Sequence, residues 1–248
     1  MCIFSQAVEQ VSNTQIFARR SNGKQLLAYS MTYQSARELA MVLPLPVPPD
    51  GPEDAVRFID LQGYPEFFDD LRSGFAIEPM LTRAASLSVD TTPATLVVHD
   101  VGSFEASFVP TLEDFDRLDE RFRIPPNAVG EIPKYRDYGF AVFKLKPATN
   151  ESDVHPMAFE FPRREPERLF FPTVHLHDGR VHRVAEFDHV LYCQLPTSPS
   201  GGPSGWRRSE TLASEFVDVP RAEGLIDSDR HCWRRKLRGT LPNTDTWI

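Results

Sequence analysis

Three histidines fall within the run Phe170-Phe-Pro-Thr-Val-His-Leu-His-Asp-Gly-Arg-Val-His-Arg-Val184. His175 and His177 are two apart, so on an extended strand they project from one face, because side chains alternate with period two. Asp178-Gly179 lies between two alternating runs and is a strong hairpin signal, since a type I′ turn needs positive φ at both central residues. That turn sets His177 opposite Arg180, Leu176 opposite Val181 and His175 opposite His182. Three imidazoles on one face could surround a metal at about 2 Å each and leave a fourth position open to water or substrate. Such a set suits Zn, Cu or Fe better than Mg or Ca, and bound Zn would bring a water to a pKa near ~7. The expectation is a transition-metal site of His175, His177 and His182, with Arg180 orienting a small anionic substrate. His155, which leads the preceding strand, is the fourth candidate ligand, and Glu186, Asp188 and His189 are candidate supporting groups. The competing reading is a hairpin tip with its polar residues in solvent, and Arg180 on the same face disfavours a cation there.

Cys2 is the second candidate. With Met1 removed it becomes N-terminal, and its own α-amine is then a base beside the thiol, the arrangement of an N-terminal-nucleophile amidohydrolase. Arg19 and Arg20 on the next strand could lower the thiol pKa or bind a carboxylate. The bland alternative is a partly buried structural thiol. A third reading makes the chain a non-catalytic binding or partner module in which the histidines are incidental. Cys193 and Cys232 read as small buried apolar residues, and the acids around Asp114, Asp116, Asp119 and Glu120 as a solvated face. There is no Gly-rich phosphate loop, Gly-x-Ser-x-Gly elbow or Cys-x-x-Cys.

These groups must be held by elements that pattern can find. Residues 3–11, 14–20, 25–33 and 39–47 read as four strands of an antiparallel meander, with Asn22-Gly23 as one turn. Residues 39–47 are apolar on both faces, which marks a buried strand. Pro65 to Gly74 reads as a short helix. Residues 110–122 read as the best helix, with Thr111 as cap and Leu112, Phe115, Leu118 and Phe122 in one stripe. Residues 76–93 are loop-like, residues 138–146 and 157–161 are strands ahead of the histidine hairpin, and residues 197–205 form a Gly/Ser/Pro loop. The fold class is therefore α+β, mainly antiparallel β with two or three short helices. It divides into an N-terminal lobe, residues 1–150, and a β-rich C-terminal lobe, residues 151–248, with one continuous domain as the alternative.

With 248 residues the chain can bury a substantial core. A net charge of −8 and no long basic run argue against nucleic acid. No apolar run nears the ~20 residues of a membrane span. The opening Met-Cys-Ile-Phe-Ser-Gln lacks the basic and apolar regions of a secretory leader. Three scattered cysteines make a poor disulfide framework, so a cytoplasmic setting is expected.

From Cys2 to about Gly179 the order of motifs resembles a bacterial family defined only as a domain of unknown function. The matching features are Cys2 with Ser5-Gln6, Ile16-Phe17-Ala18 and Met41-Val-Leu-Pro-Leu-Pro-Val-Pro48. Phe104-Glu-Ala-Ser, Tyr135 ahead of Gly139-Phe140-Ala-Val-Phe-Lys-Leu-Lys146, His155-Pro-Met and Phe171-Pro-Thr continue it. The resemblance implies a shared fold and brings no activity. The opening Cys with Arg19 is also loosely similar to bile-salt-hydrolase-type enzymes, which carry Asn-Met-Asp where this chain has Ser21-Asn22-Gly23.

Overall fold

A computed structural model describes residues 2–6, 8–76, 99–101, 104–118, 123, 133–176, 182–196 and 202–248. In chain order the first strands are β1 (Cys2–Phe4), β2 (Gln10–Ser21), β3 (Lys24–Ser35), β4 (Leu39–Leu45) and β5 (Arg57–Ile59). The helix α1 (Phe67–Ser73) follows, then β6 (His99–Val101), β7 (Phe104–Val109), β8 (Gly139–Leu145), β9 (Ala148–Asp153) and β10 (Met157–Pro162). The remainder holds β11 (Phe170–Phe171), β12 (His175–Leu176), β13 (Val184–Phe187) and β14 (Val190–Gln194). It ends with β15 (Arg207–Arg208), β16 (Trp233–Lys236), β17 (Gly239–Pro242) and β18 (Thr246–Trp247).

Asn22 and Gly23 both take positive φ, 46° and 78°, and so make the tight turn that joins β2 to β3 in the expected register. The four opening strands do not form one meander, however. β2 and β3 lie in a sheet ordered β15-β16-β14-β2-β3-β10-β5, while β1 and β4 lie in a second, ordered β12-β1-β4-β8-β7-β6. Both sheets take strands from either side of residue 150. The two face each other across one core. Leu27, Tyr29 and Met31 of β3 meet the same cluster as Leu39, Met41 and Leu43 of β4 and Phe159 of β10. The alternate residues point outward into two further clusters, Leu26 and Ala28 under α1 and Ala40 and Val42 under Phe115 and Tyr135. Every residue of β4 is buried for that reason. Its all-apolar sequence serves two cores at once.

The α+β expectation gives way to a predominantly β protein. Among the described residues there is one α-helix, and the other helical pieces are short 3-10 turns. α1 falls where Pro65 and Gly74 place it, and seven residues are too few to be helical alone. Burial of Phe67, Phe68 and Leu71 holds it, with Phe67 edge-on to Phe17 at 5.7 Å. The helix expected over 110–122 does not form as such. Glu113–Arg117 makes one 3-10 turn, and Leu118 is already extended, with ψ of 158°. The Thr111 hydroxyl bonds the Asp114 carboxylate at 3.0 Å and caps no backbone N–H. Among the described residues of the apolar stripe only Phe115 is buried, edge-on to Phe140 at 5.2 Å, and Phe122 lies outside them. One anchored ring stabilises a turn and not a four-turn helix.

Candidate functional site

β12 is the strand on which the sequence places its chemistry, and it pairs in parallel with β1 so that Cys2 lies opposite His175 and Ile3 opposite Leu176. The fold therefore brings together the backbones of two candidates that are far apart in the sequence. His175 is positioned from three sides. Its backbone N–H donates to Asn243 Oδ1 at 2.7 Å, and its carbonyl accepts from Asn243 Nδ2 at 2.9 Å. The same Nδ2 donates to the His182 carbonyl at 3.0 Å. The ring of His175 stacks on His189, 4.7 Å between centroids and 19° apart, with Nε2 to Nε2 at 3.0 Å. Phe187 closes the third side at 4.6 Å. One nitrogen of that pair must carry the hydrogen and the other the lone pair, so His175 presents its Nε2 to another imidazole.

This arrangement overturns the metal-binding reading and, with it, the description of the protein as a histidine-cluster metalloprotein. Among the described residues no group of three or more His, Cys, Asp or Glu could hold an ion. The physical reason lies in the partners of each arm. β12 is paired to β1 and β13 to β17, in different sheets, and the Asn243 amide stands between the backbones of His175 and His182. His155 is occupied elsewhere, stacked on Phe104 at 4.4 Å. Glu186 accepts from the Thr240 hydroxyl and Asp188 from the Asn13 backbone. His177 and Arg180 lie outside the described residues, as does the Asp178-Gly179 turn.

The other thiols are chemically quiet. Cys193 and Cys232 are free and buried, and desolvation pushes Cys193 well above the usual thiol range and Cys232 to about 12. A thiol so shifted is protonated at neutral pH and a poor nucleophile or ligand. Arg19 and Arg20, expected beside Cys2, serve backbone carbonyls instead. Arg19 donates to Leu225 at 2.8 Å and Gly224 at 2.6 Å, and Arg20 to Glu167 at 3.2 Å.

Two features escaped the sequence reading. Residues 243–245 brace the β12 approach: Asp245 takes the backbone N–H of Thr173 at 3.2 Å, the Tyr135 hydroxyl and, at 3.3 Å, the Lys134 ammonium. Burial first and the Asp245 carboxylate next push the Tyr135 phenol well above its usual range. Asn243 and Asp245 are two apart, the extended-chain spacing that puts both on one face, and that was the available signal.

The second feature is an open groove of about 610 Å³ between the ends of β2, β14 and β16 and the C-terminal strand β18. Arg20, Arg235, Trp206, Trp247, Leu195 and Glu167 are its principal lining residues. Trp206 packs on Phe171 at 5.6 Å and Trp247 on Phe170 at 4.8 Å, so each indole has an aromatic ring behind it. Arg168 lies over the Trp247 ring at 4.7 Å. Leu191 is opposite Arg235, and β14 pairs in parallel with β2 up to Gln194 opposite Arg19. Leu191 is in turn opposite Ile16, and Ile16 and Arg20 share one face of β2, so both guanidiniums rise from the same sheet face. The contributing residues are spread from 20 to 248, and no local pattern marks them.

No family model matches the chain. Among solved structures it is similar to that of baculovirus P35, at 14% identity and a TM-score of 0.48, covering 99% of this chain and 98% of that one. It is similar also to a mutated baculovirus P35 after caspase cleavage, at 14% identity and a TM-score of 0.48, covering 95% and 98%. A complex of caspase-8 with P35 matches at 12% identity and a TM-score of 0.46, covering 95% of each chain.

Proposed function

We propose that this chain is a non-catalytic module that binds a protein partner in a reducing compartment such as the cytoplasm. The observation that carries the reading is the open groove walled by Trp206 and Trp247 and flanked by Arg20 and Arg235. Trp and Arg are the residues over-represented where protein interfaces concentrate their binding energy. Rigid indoles lose little entropy on contact, and guanidiniums give directional bonds. The candidate chemical groups, by contrast, serve the fold: His175 with His189 and Asn243, and the buried Cys193 and Cys232 as packing. The two free buried thiols favour a reducing setting. No helix among the described residues is long and apolar enough to cross a membrane.

The test is site-specific photo-crosslinking in extract of the source cell, with benzoylphenylalanine at Leu195 in the groove or at the exposed Leu212. A discrete protein adduct from position 195 and none from 212 is expected, unchanged by Cys2→Ala. The same ladder from both positions, or none from 195, refutes the reading. The caspase-8 bound to P35 in one of the similar structures is the first purified protein to try, with co-elution and intact mass of the chain as readouts.

A further inference from the structure

The chain carries a net charge of −8, yet Arg20 and Arg235 line one groove. Among the described residues neither Arg20 nor Arg235 pairs with a carboxylate: Arg20 donates only to the Pro166 and Glu167 carbonyls. Arg163 stands close by, and its Nε and Nη1 are buried with no partner among the described residues. Burial first and the neighbouring Arg20 next hold that guanidinium below its usual value, partly offset by Glu167. Among the described residues Glu167 is the one carboxylate side chain on the wall, beside two guanidiniums, Arg20 and Arg235. Glu165 is taken up by Arg168 at 3.3 Å. A guanidinium removed from water without a counter-ion is costly, and an incoming carboxylate relieves that cost. The Trp206 indole N–H is a second donor of this kind, on a side chain 8% exposed and with no acceptor among the described residues.

Register converts these groups into a spacing. Arg235 lies opposite Leu191 of β14, Leu191 lies opposite Ile16 of β2, and Arg20 is four residues beyond Ile16 on β2. At about 3.3 Å per residue that offset is ~13 Å along the strands, with ~10 Å across two strand spacings. An extended peptide covers the same ~13 Å in four residues, and its residues i, i+2 and i+4 share one face. Long arginine side chains span the lateral distance. Resting on the partner-binding reading above, we infer that the groove takes an extended acidic peptide segment of the partner, with carboxylates at i and i+4 against Arg20 and Arg235 and an apolar side chain at i+2 between Trp206 and Trp247.

The probe is the capped peptide acetyl-Asp-Ser-Leu-Ser-Asp-amide, labelled for fluorescence anisotropy, against the intact chain. Its partner is acetyl-Asn-Ser-Leu-Ser-Asn-amide. Saturable binding of the acidic peptide is expected, weakened about tenfold or more by each lost charge-assisted bond, whether through the amide peptide, Arg235→Gln or Arg20→Ala. It also weakens as salt is raised. Arg207→Ala, on the exposed β15, leaves it unchanged. Because Arg20 also ties down the 166–167 loop, Arg235→Gln is the variant that decides, with thermal melts as the folding control. Equal affinity for acid and amide peptides, an undiminished Arg235→Gln, or no binding overturns the inference. If the photo-adduct at Leu195 persists in that case, the partner reading survives and only the carboxylate recognition falls; loss of the adduct removes both.

Discussion

Replacement of Asn243 by alanine tests whether one amide holds the strand that carries His175. Asn243 is 6% exposed and makes three hydrogen bonds, at 2.7, 2.9 and 3.0 Å, to the backbones of His175 and His182. A net hydrogen bond is worth roughly 1 kcal/mol, and a buried group left unsatisfied costs roughly 1–3 kcal/mol. His182 is exposed, so water replaces its bond and that contribution is discounted. The two bonds to His175 remain, for an expected loss of about 2–3 kcal/mol. In a chain of this length each kcal/mol moves the thermal midpoint by roughly 2–4 °C, so a fall of about 4–12 °C is expected. Asn243→Asp keeps the acceptor for the His175 N–H but loses both donors and sets a charge against two carbonyls, so its loss is at least as large. Urea melts followed by tryptophan fluorescence give the free energy, and amide exchange at His175 reads the local effect. If Asn243→Ala shifts stability by less than about 0.5 kcal/mol with His175 exchange unchanged, the clamp is incidental and the account of β12 fails.

Gly139 admits no side chain: a Cβ there would stand 2.6 Å from the Phe108 ring and 3.0 Å from Val47, so Gly139→Ala should cost about 1–3 kcal/mol by overpacking in a denaturant melt. Glu160 accepts from Arg57 at 3.0 Å and Lys24 at 2.7 Å, and these bonds, Arg57's first, hold its carboxyl at about 2. A depressed folded pKa contributes stability that is present above the unfolded value near 4.5 and lost as pH falls toward 2. Glu160→Gln should therefore flatten the pH dependence of the melting midpoint across that window, and an unchanged slope would falsify the pairing. In a Cys2→Ser variant, thiol reagent should label neither Cys193 nor Cys232 in the native state and both in denaturant, because burial keeps both protonated. Phe67→Ala should cost roughly 3–5 kcal/mol, since that ring anchors α1 against Phe17 and Tyr64.

What the sequence made legible was local. Asn22-Gly23 specified its turn because both residues tolerate positive φ, and the all-apolar 39–45 run specified a strand buried on two sides. The Pro65 to Gly74 stretch specified a helix because its punctuation and three buried apolar positions agree. The 110–118 stretch misled because capping residues and an apolar stripe are also compatible with a single turn anchored by Phe115. Helix propensity is a weak preference that packing overrides.

The histidine run misled for a related reason, one that explains why the candidate site could not be composed in advance. Hairpin logic assumes that a strand's first partner is its neighbour in sequence. Here β12 is two residues long and finds β1, from the far end of the chain, while β13 finds β17. Asn243 then supplies to both arms the hydrogen bonds that a neighbouring strand would have given. Such pairings close very long loops, and the entropy of closure grows only slowly with length, so distance in sequence is no bar to them. The same non-local assembly that pairs the strand of His175 with β1, setting Cys2 opposite it, sets Arg20 and Arg235 on one sheet face. Spacing along the chain predicts chemistry only when the groups share one local element. In this protein the groups that converge are brought together by sheet order, and the groove depends on that order as much as on its arginines and indoles.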